Sequence, residues 1–178
     1  MSRAFARLCF PVLLALPLFG CGPARDQFPP ACPSAHLVSG LSEMTRYAGA
    51  GTAHDFRDMV IHAKVLAVNG KCMSSDNPGI LPASVRITIG VQRGPAMQGR
   101  SVTVPVFLAV LRGTTVEDKK IFDVPVTFPA QQEQMSVTSP DIALDLPVSS
   151  TISGPSYSIV AGFQLSPDEL ATNRHAGG

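Results

Sequence analysis

Apolar residues at every second position, turn clusters between those rows, and no alternation of strand with helix predict an all-β chain. The expected architecture is an antiparallel, immunoglobulin-like β-sandwich of six to eight strands with a short C-terminal helix. Met59, Ile61, Ala63, Val65 and Ala67 make the first row and put His62 and Lys64 on its opposite face. Val85, Ile87, Ile89 and Val91 make the second, the cleanest half-buried pattern in the chain. Further rows follow at Val102 to Val110, Phe122 to Phe128, Ile142 to Val148 and Tyr157 to Leu165. Turn residues separate them at Asn69-Gly70, Ser74 to Gly79, Gly94-Pro95, Gly113 to Asp118 and Ser153-Gly154-Pro155.

Two short helical signals flank the rows. Ser42 to Tyr47 is compatible with one helical turn capped by Ser42. Ser166-Pro167-Asp168-Glu169 is a fuller signal: a Ser cap, Pro at the first helical position, and Glu three residues after the cap. It opens a helix to about Asn173 that closes one end of the sandwich.

The rows at 101–111 and 119–128 flank a turn near residue 115 and suggest a hairpin in which Val106 faces Val124, Leu108 faces Phe122 and Val104 faces Val126. That register sets Pro105 opposite Pro125. Neither can donate to a ladder, so a bulge or a sheet edge is expected at this level. The opposite face of the hairpin carries Phe107, Ala109, Leu111 and Ile121, more apolar than a purely solvated face. Burial under a loop or the terminal helix accounts for this; alternatively Phe107, Leu111 and Ile121 form a contact patch for another protein.

The N-terminus sets the compartment. Arg3 and Arg7 precede an uncharged, mostly apolar run from Leu8 to Gly20, too short to span a bilayer and broken by Pro11 and Pro17. This is the pattern of an export signal. Its end, Leu18-Phe19-Gly20-Cys21, resembles the lipobox of bacterial lipoproteins, with Phe19 bulkier than the residue usual at its position. The resemblance implies cleavage before Cys21 and acylation of that cysteine, and hence a stable membrane anchor. Ordinary secretion, with cleavage after Gly22-Pro23-Ala24, is the alternative. The expected organisation is a signal peptide over 1–20, a lipidated Cys21 with a proline-rich tether over 21–33, and a β-domain over 34–178. Gly22, rather than Asp, follows Cys21, which favours the outer membrane over the inner one as the site of attachment.

Cys9 leaves with the leader and Cys21 is the lipid acceptor, which leaves Cys32 and Cys72. An even pair in an exported domain is most simply a disulfide; a reactive or metal-binding thiol pair is the competing account, without C-x-x-C spacing to support it.

Composition narrows the function classes. The chain has 178 residues, 45% hydrophobic and only 15% charged, enough for a core and unlike a disordered polyelectrolyte. Loss of the two leader arginines leaves twelve basic against thirteen acidic residues, and no basic run occurs, so nucleic-acid binding has no support. No serine sits in G-x-S-x-G, the glycines show no phosphate-cradling pattern, and the absence of Trp leaves few sugar-stacking platforms. His54, Asp58 and His62 come nearest to a metal or ligand site, since Asp58 and His62 would share one face of a strand. No metal ligand, cofactor or catalytic residue is assigned, and the chain is expected not to be an enzyme.

Phe28-Pro29-Pro30-Ala31-Cys32-Pro33, Val68-Asn69-Gly70-Lys71-Cys72 and Gly162-Phe163-Gln164-Leu165-Ser166-Pro167-Asp168-Glu169-Leu170 together resemble a family of uncharacterised Gram-negative envelope lipoproteins. The resemblance implies export, a disulfide and a β-domain, and it assigns no activity to any residue. The expectation is a non-enzymatic structural or protein-interaction module in the cell envelope, anchored by lipid and facing the periplasm. A periplasmic module for a small ligand or metal, near His54, Asp58 and His62, is the alternative.

Overall fold

The computed structural model describes residues 31–49 and 54–176. These residues form nine strands, β1 (Ser34–Leu37), β2 (Glu43–Tyr47), β3 (Met59–Cys72), β4 (Ile80–Arg93), β5 (Ser101–Arg112), β6 (Thr115–Thr127), β7 (Gln134–Thr138), β8 (Ile142–Pro147) and β9 (Tyr157–Phe163), followed by helix α1 (Pro167–Ala176). One sheet has the order β1-β9-β5-β6; the other runs β2-β3-β4, with β7 and β8 end to end along the far side of β4. All pairings are antiparallel except β1 with β9. The molecule is an all-β sandwich with a short C-terminal helix.

The core lies where the apolar rows of the two sheets meet. Val104, Val106, Leu108 and Val110 of β5 and Ile159, Ala161 and Phe163 of β9 face Ile61, Ala63 and Val65 of β3 and Val85, Ile87, Ile89 and Val91 of β4, all buried. This is the two-residue period of the sequence made physical: alternate Cβ atoms point to one face, and that face leaves water.

Four departures from the sequence expectations follow from strand pairing. Ser42 to Tyr47 is not a helical turn: β2 pairs with β3, Met44 is fully buried, and the Ser42 carbonyl accepts from the Val65 N–H. Long-range pairing overrides a weak local preference. Asn69-Gly70 is not a turn, because β3 continues through it, with Asn69 opposite Arg86 and Gly70 opposite Val85. Leu66 is an extra residue between the Val65–Ile89 and Ala67–Thr88 pairs. That bulge shifts the inward position from Ala67 to Val68, which packs on the core. Finally, β1 and β7, too short to stand out as rows, complete the sheets.

The β5–β6 hairpin is offset from its expected register. Val106 faces Phe122 and Val104 faces Val124, because the turn is only Gly113-Thr114, with Gly113 at φ 61°. Pro105 therefore lies opposite Asp123, and Pro125 opposite Thr103. The Pro105 carbonyl accepts from the Gln164 N–H, so its ring nitrogen also points toward β9, just beyond the end of that strand's pairing. Pairs alternate along an antiparallel ladder, so Pro125, two positions on, points its nitrogen away from β5 to the open edge. β6 is the edge strand of its sheet, where Pro125 leaves no ladder partner unpaired.

At one pole the chain enters through Ala31 and Cys32. The β3–β4 loop (73–79), the β8–β9 connection and the Gly113-Thr114 turn gather there. Cys32 and Cys72 form a disulfide with Cα atoms 5.6 Å apart. The opposite pole carries the segments after β2, β4 and β6 and the start of α1.

Candidate functional site

The three residues singled out in the sequence do not form one site. Asp58 works with Asp55 in capping a 3-10 turn, Phe56–Asp58: the Asp55 N–H donates to Asp58 Oδ2 at 3.3 Å, and the Arg57 N–H to Asp55 Oδ1 at 3.1 Å. His62 lies on the outer face of β3, its Nδ1 3.0 Å from the Thr45 hydroxyl on the paired strand. His54 stacks on Tyr47, with ring centroids 4.2 Å apart and planes 2° from parallel. Among the described residues no three His, Cys, Asp or Glu side chains converge as a metal-ligand set.

His54 instead helps line a cavity of about 440 Å³ at the far pole. β2 supplies Thr45, Arg46 and Tyr47, β5 supplies Pro105, the segment leading into α1 supplies Gln164 and Ser166, and the first turn of α1 supplies Glu169. A register shift between Arg46 and Tyr47 at the end of β2 sets these neighbours apart from the regular ladder. The helix start is fixed as its sequence implies: the Glu169 N–H donates to Ser166 Oγ at 3.2 Å and the Ser166 N–H donates to Glu169 Oε2 at 2.8 Å. The other Glu169 oxygen receives Arg46 Nε at 2.8 Å. Asn173 Nδ2 donates to the Gly40 and Glu43 carbonyls, so α1 covers part of the free edge of β2.

Most of the polar groups here already have protein partners. Glu169 is committed through both oxygens, Gln164 Oε1 accepts from Lys119 Nζ at 2.9 Å, and Thr45 is held by His62. Among the described residues, the Arg46 guanidinium meets, beyond Glu169, the Thr103 carbonyl at 3.3 Å and the Met44 sulfur at 3.9 Å. The cavity can hold a small polar molecule against the Arg46 fork and the Tyr47–His54 stack. Arg46 and Tyr47 were hidden from sequence reasoning by the helical assignment of 42–47. Glu169 was visible only as a cap, because its partner lies 123 positions away.

The expected contact residues share one face. Cross-strand pairing puts Phe107 beside Ile121 and Leu111 beside Val116 on the outer side of the β1-β9-β5-β6 sheet. Their exposure differs sharply. Phe107 is buried, with Lys119 Nζ 4.8 Å from its ring centroid, and Leu111 is half-buried. Ile121 and Val116 are each 56% exposed. Val116 was missed because it fell within the expected turn cluster, whereas the tight turn at Gly113 returns it to the strand.

Cys21 lies outside the described residues, as do the expected signal peptide (1–20) and most of the expected tether (21–33). No described helix is long and apolar enough to cross a membrane. No protein-family model, curated protein or solved structure matches this chain.

Proposed function

We propose that this chain is a lipid-anchored lipoprotein of the bacterial cell envelope, and that its β-sandwich is a non-enzymatic module for contacts with other envelope proteins. The Cys32–Cys72 pairing carries the proposal. A structural disulfide belongs to an oxidising compartment, which agrees with export directed by residues 1–20. It also uses both cysteines that follow Cys21, leaving the Cys21 thiol for acylation. The resemblance to Gram-negative envelope lipoproteins supports the same reading, and Gly22 favours the outer membrane.

The contact surface is the outer face around Leu111, Val116 and Ile121, where two large apolar side chains stand more than half exposed on an edge strand. Charges at Lys119, Lys120 and Asp123 and the edge-facing Pro125 discourage strand addition along β6, so the side-chain face is the better docking element. The test has two arms. Cys21→Ala should move the protein from the membrane fraction to the soluble fraction or stop its processing; unchanged attachment would remove the anchor. A photo-crosslinking residue at position 121 should capture an envelope protein in cells, while one at position 136, on the outer face of the other sheet, should not. Equal yields from both positions would count against this face.

The cavity beside Arg46 and His54 favours a second reading, a small-ligand module. Arg46→Ala would then abolish ligand-dependent thermal stabilisation in a screen of small periplasmic carboxylates, and a screen with no stabilising compound would retire it.

A further inference from the structure

A second cavity, of about 420 Å³, opens at the pole where the chain enters the sandwich. Its lining combines the apolar Met73, Pro78, Ile80, Leu81, Val148 and Ile152 with Ser and Asn residues. No charged side chain is among its described lining residues. Ala31 forms part of the wall, and its carbonyl lies so close to Gly154 that a Cβ there would collide with it. The disulfide holds the next residue, Cys32, to the end of β3, so the described chain begins at the cavity's own wall.

We infer that this cavity receives one of the acyl chains carried on Cys21, an inference that rests on the lipoprotein reading above. Three properties point to that occupant. The lining is uncharged and more apolar than polar, which suits a hydrocarbon chain and disfavours an ion. The volume is well above the roughly 150 Å³ that accommodates a single benzene-sized ring, so one apolar side chain would leave most of it empty. Ala31 lies ten positions after Cys21, so the lipid is held within about 36 Å of the opening. A linker that short keeps its cargo at an effective concentration on the order of mM, far above that of any free lipid in the aqueous phase. The consequence is a lipoprotein that shields part of its own anchor while it is out of the bilayer and presents this pole to the membrane when inserted.

Titration with a dansyl-labelled fatty acid tests the inference. The acceptor is mature chain carrying Cys21→Ala, exported behind a non-lipoprotein leader so that the disulfide forms. This lipid-free protein should bind the probe saturably at one site, and Met73→Asp or Ile152→Asp should abolish binding. Leu66→Asp, on the outer face midway along β3, should leave it unchanged. Native lipidated protein should bind the probe about tenfold or more weakly, because its own chain competes. Equal binding by the two forms overturns the inference, as does binding that appears only after Phe28→Ala, which would make Phe28 the occupant. The intact mass of the native chain separates the two failures: an unmodified Cys21 removes the anchor itself, whereas an acylated Cys21 with a freely accessible cavity removes only the acyl-chain site.

Discussion

Arg46 on β2 and Glu169 in the first turn of α1 meet at 2.8 Å, and the Glu169 side chain is only 8% exposed while Arg46 remains 33% exposed. The same carboxylate caps the helix through the Ser166 N–H, so one side chain both starts α1 and fastens it to the free edge of β2. Arg46→Ala leaves a buried carboxylate without its countercharge. Discounted for the exposure of Arg46, the cost is about 1–3 kcal/mol. Glu169→Gln should cost less, because Gln still completes the capping box. Urea denaturation of both variants provides the check; a larger loss for Glu169→Gln would mean that the charge matters to the cap more than to the pair.

The Cys32–Cys72 bond closes a 40-residue separation that contains β1, β2 and β3. On the chain-entropy model its removal by reduction or by Cys32→Ser with Cys72→Ser costs about 4 kcal/mol. The unfolding midpoint should fall accordingly in reducing buffer, and the double variant should become insensitive to reductant. A wild-type midpoint that ignores reduction would show that the bond is absent in the purified protein.

Gly94 is a steric requirement of the far pole. A Cβ there would run into the Met59 backbone, while the Gly94 N–H donates to the Val60 carbonyl at 2.8 Å and holds the loop after β4 against the start of β3. Gly94→Ala should destabilise by about 1–3 kcal/mol. Gly99→Ala, at a position with open space but φ 75°, tests backbone strain alone and should cost about 1 kcal/mol. Thermal unfolding of the pair separates the two causes.

Acid should weaken the sandwich through specific pairs. Hydrogen bonds from Arg86, then from Ser84, hold Asp141 below its ordinary 3.8, and a hydrogen bond from Lys64 holds Glu43 below its ordinary 4.5. A carboxylate depressed in the folded state stabilises above its unfolded value, and that contribution is lost as pH falls through the lower, folded value. The loss therefore begins below about 4.5 for Glu43 and below about 3.8 for Asp141. Asp141→Asn should flatten the lower part of the acid slope in a series of urea midpoints; an unchanged slope would mean that the Arg86 pair is worth nothing in solution, as many exposed pairs are.

Much of the fold was legible in the chain. The rows at 59–65, 85–91, 102–110 and 142–148 are strands because a period of two has only one way to bury one face, and Ser166 to Glu169 start a helix because their side chains satisfy the local backbone. Cysteine parity anticipated the disulfide. The remaining features depend on residues far apart in sequence. The pairing of β2 with β3 converts an expected helical turn into a strand, one extra residue at Leu66 changes which side chain faces inward, and a two-residue turn at Gly113 sets the β5–β6 register and brings Val116 to the surface. Both cavities are likewise products of closure: Arg46 needs Glu169 across 123 positions, and Ala31 needs Gly154. Local chemistry chose the elements, whereas long-range pairing, whose energy no window of sequence contains, decided their register and the surfaces they present.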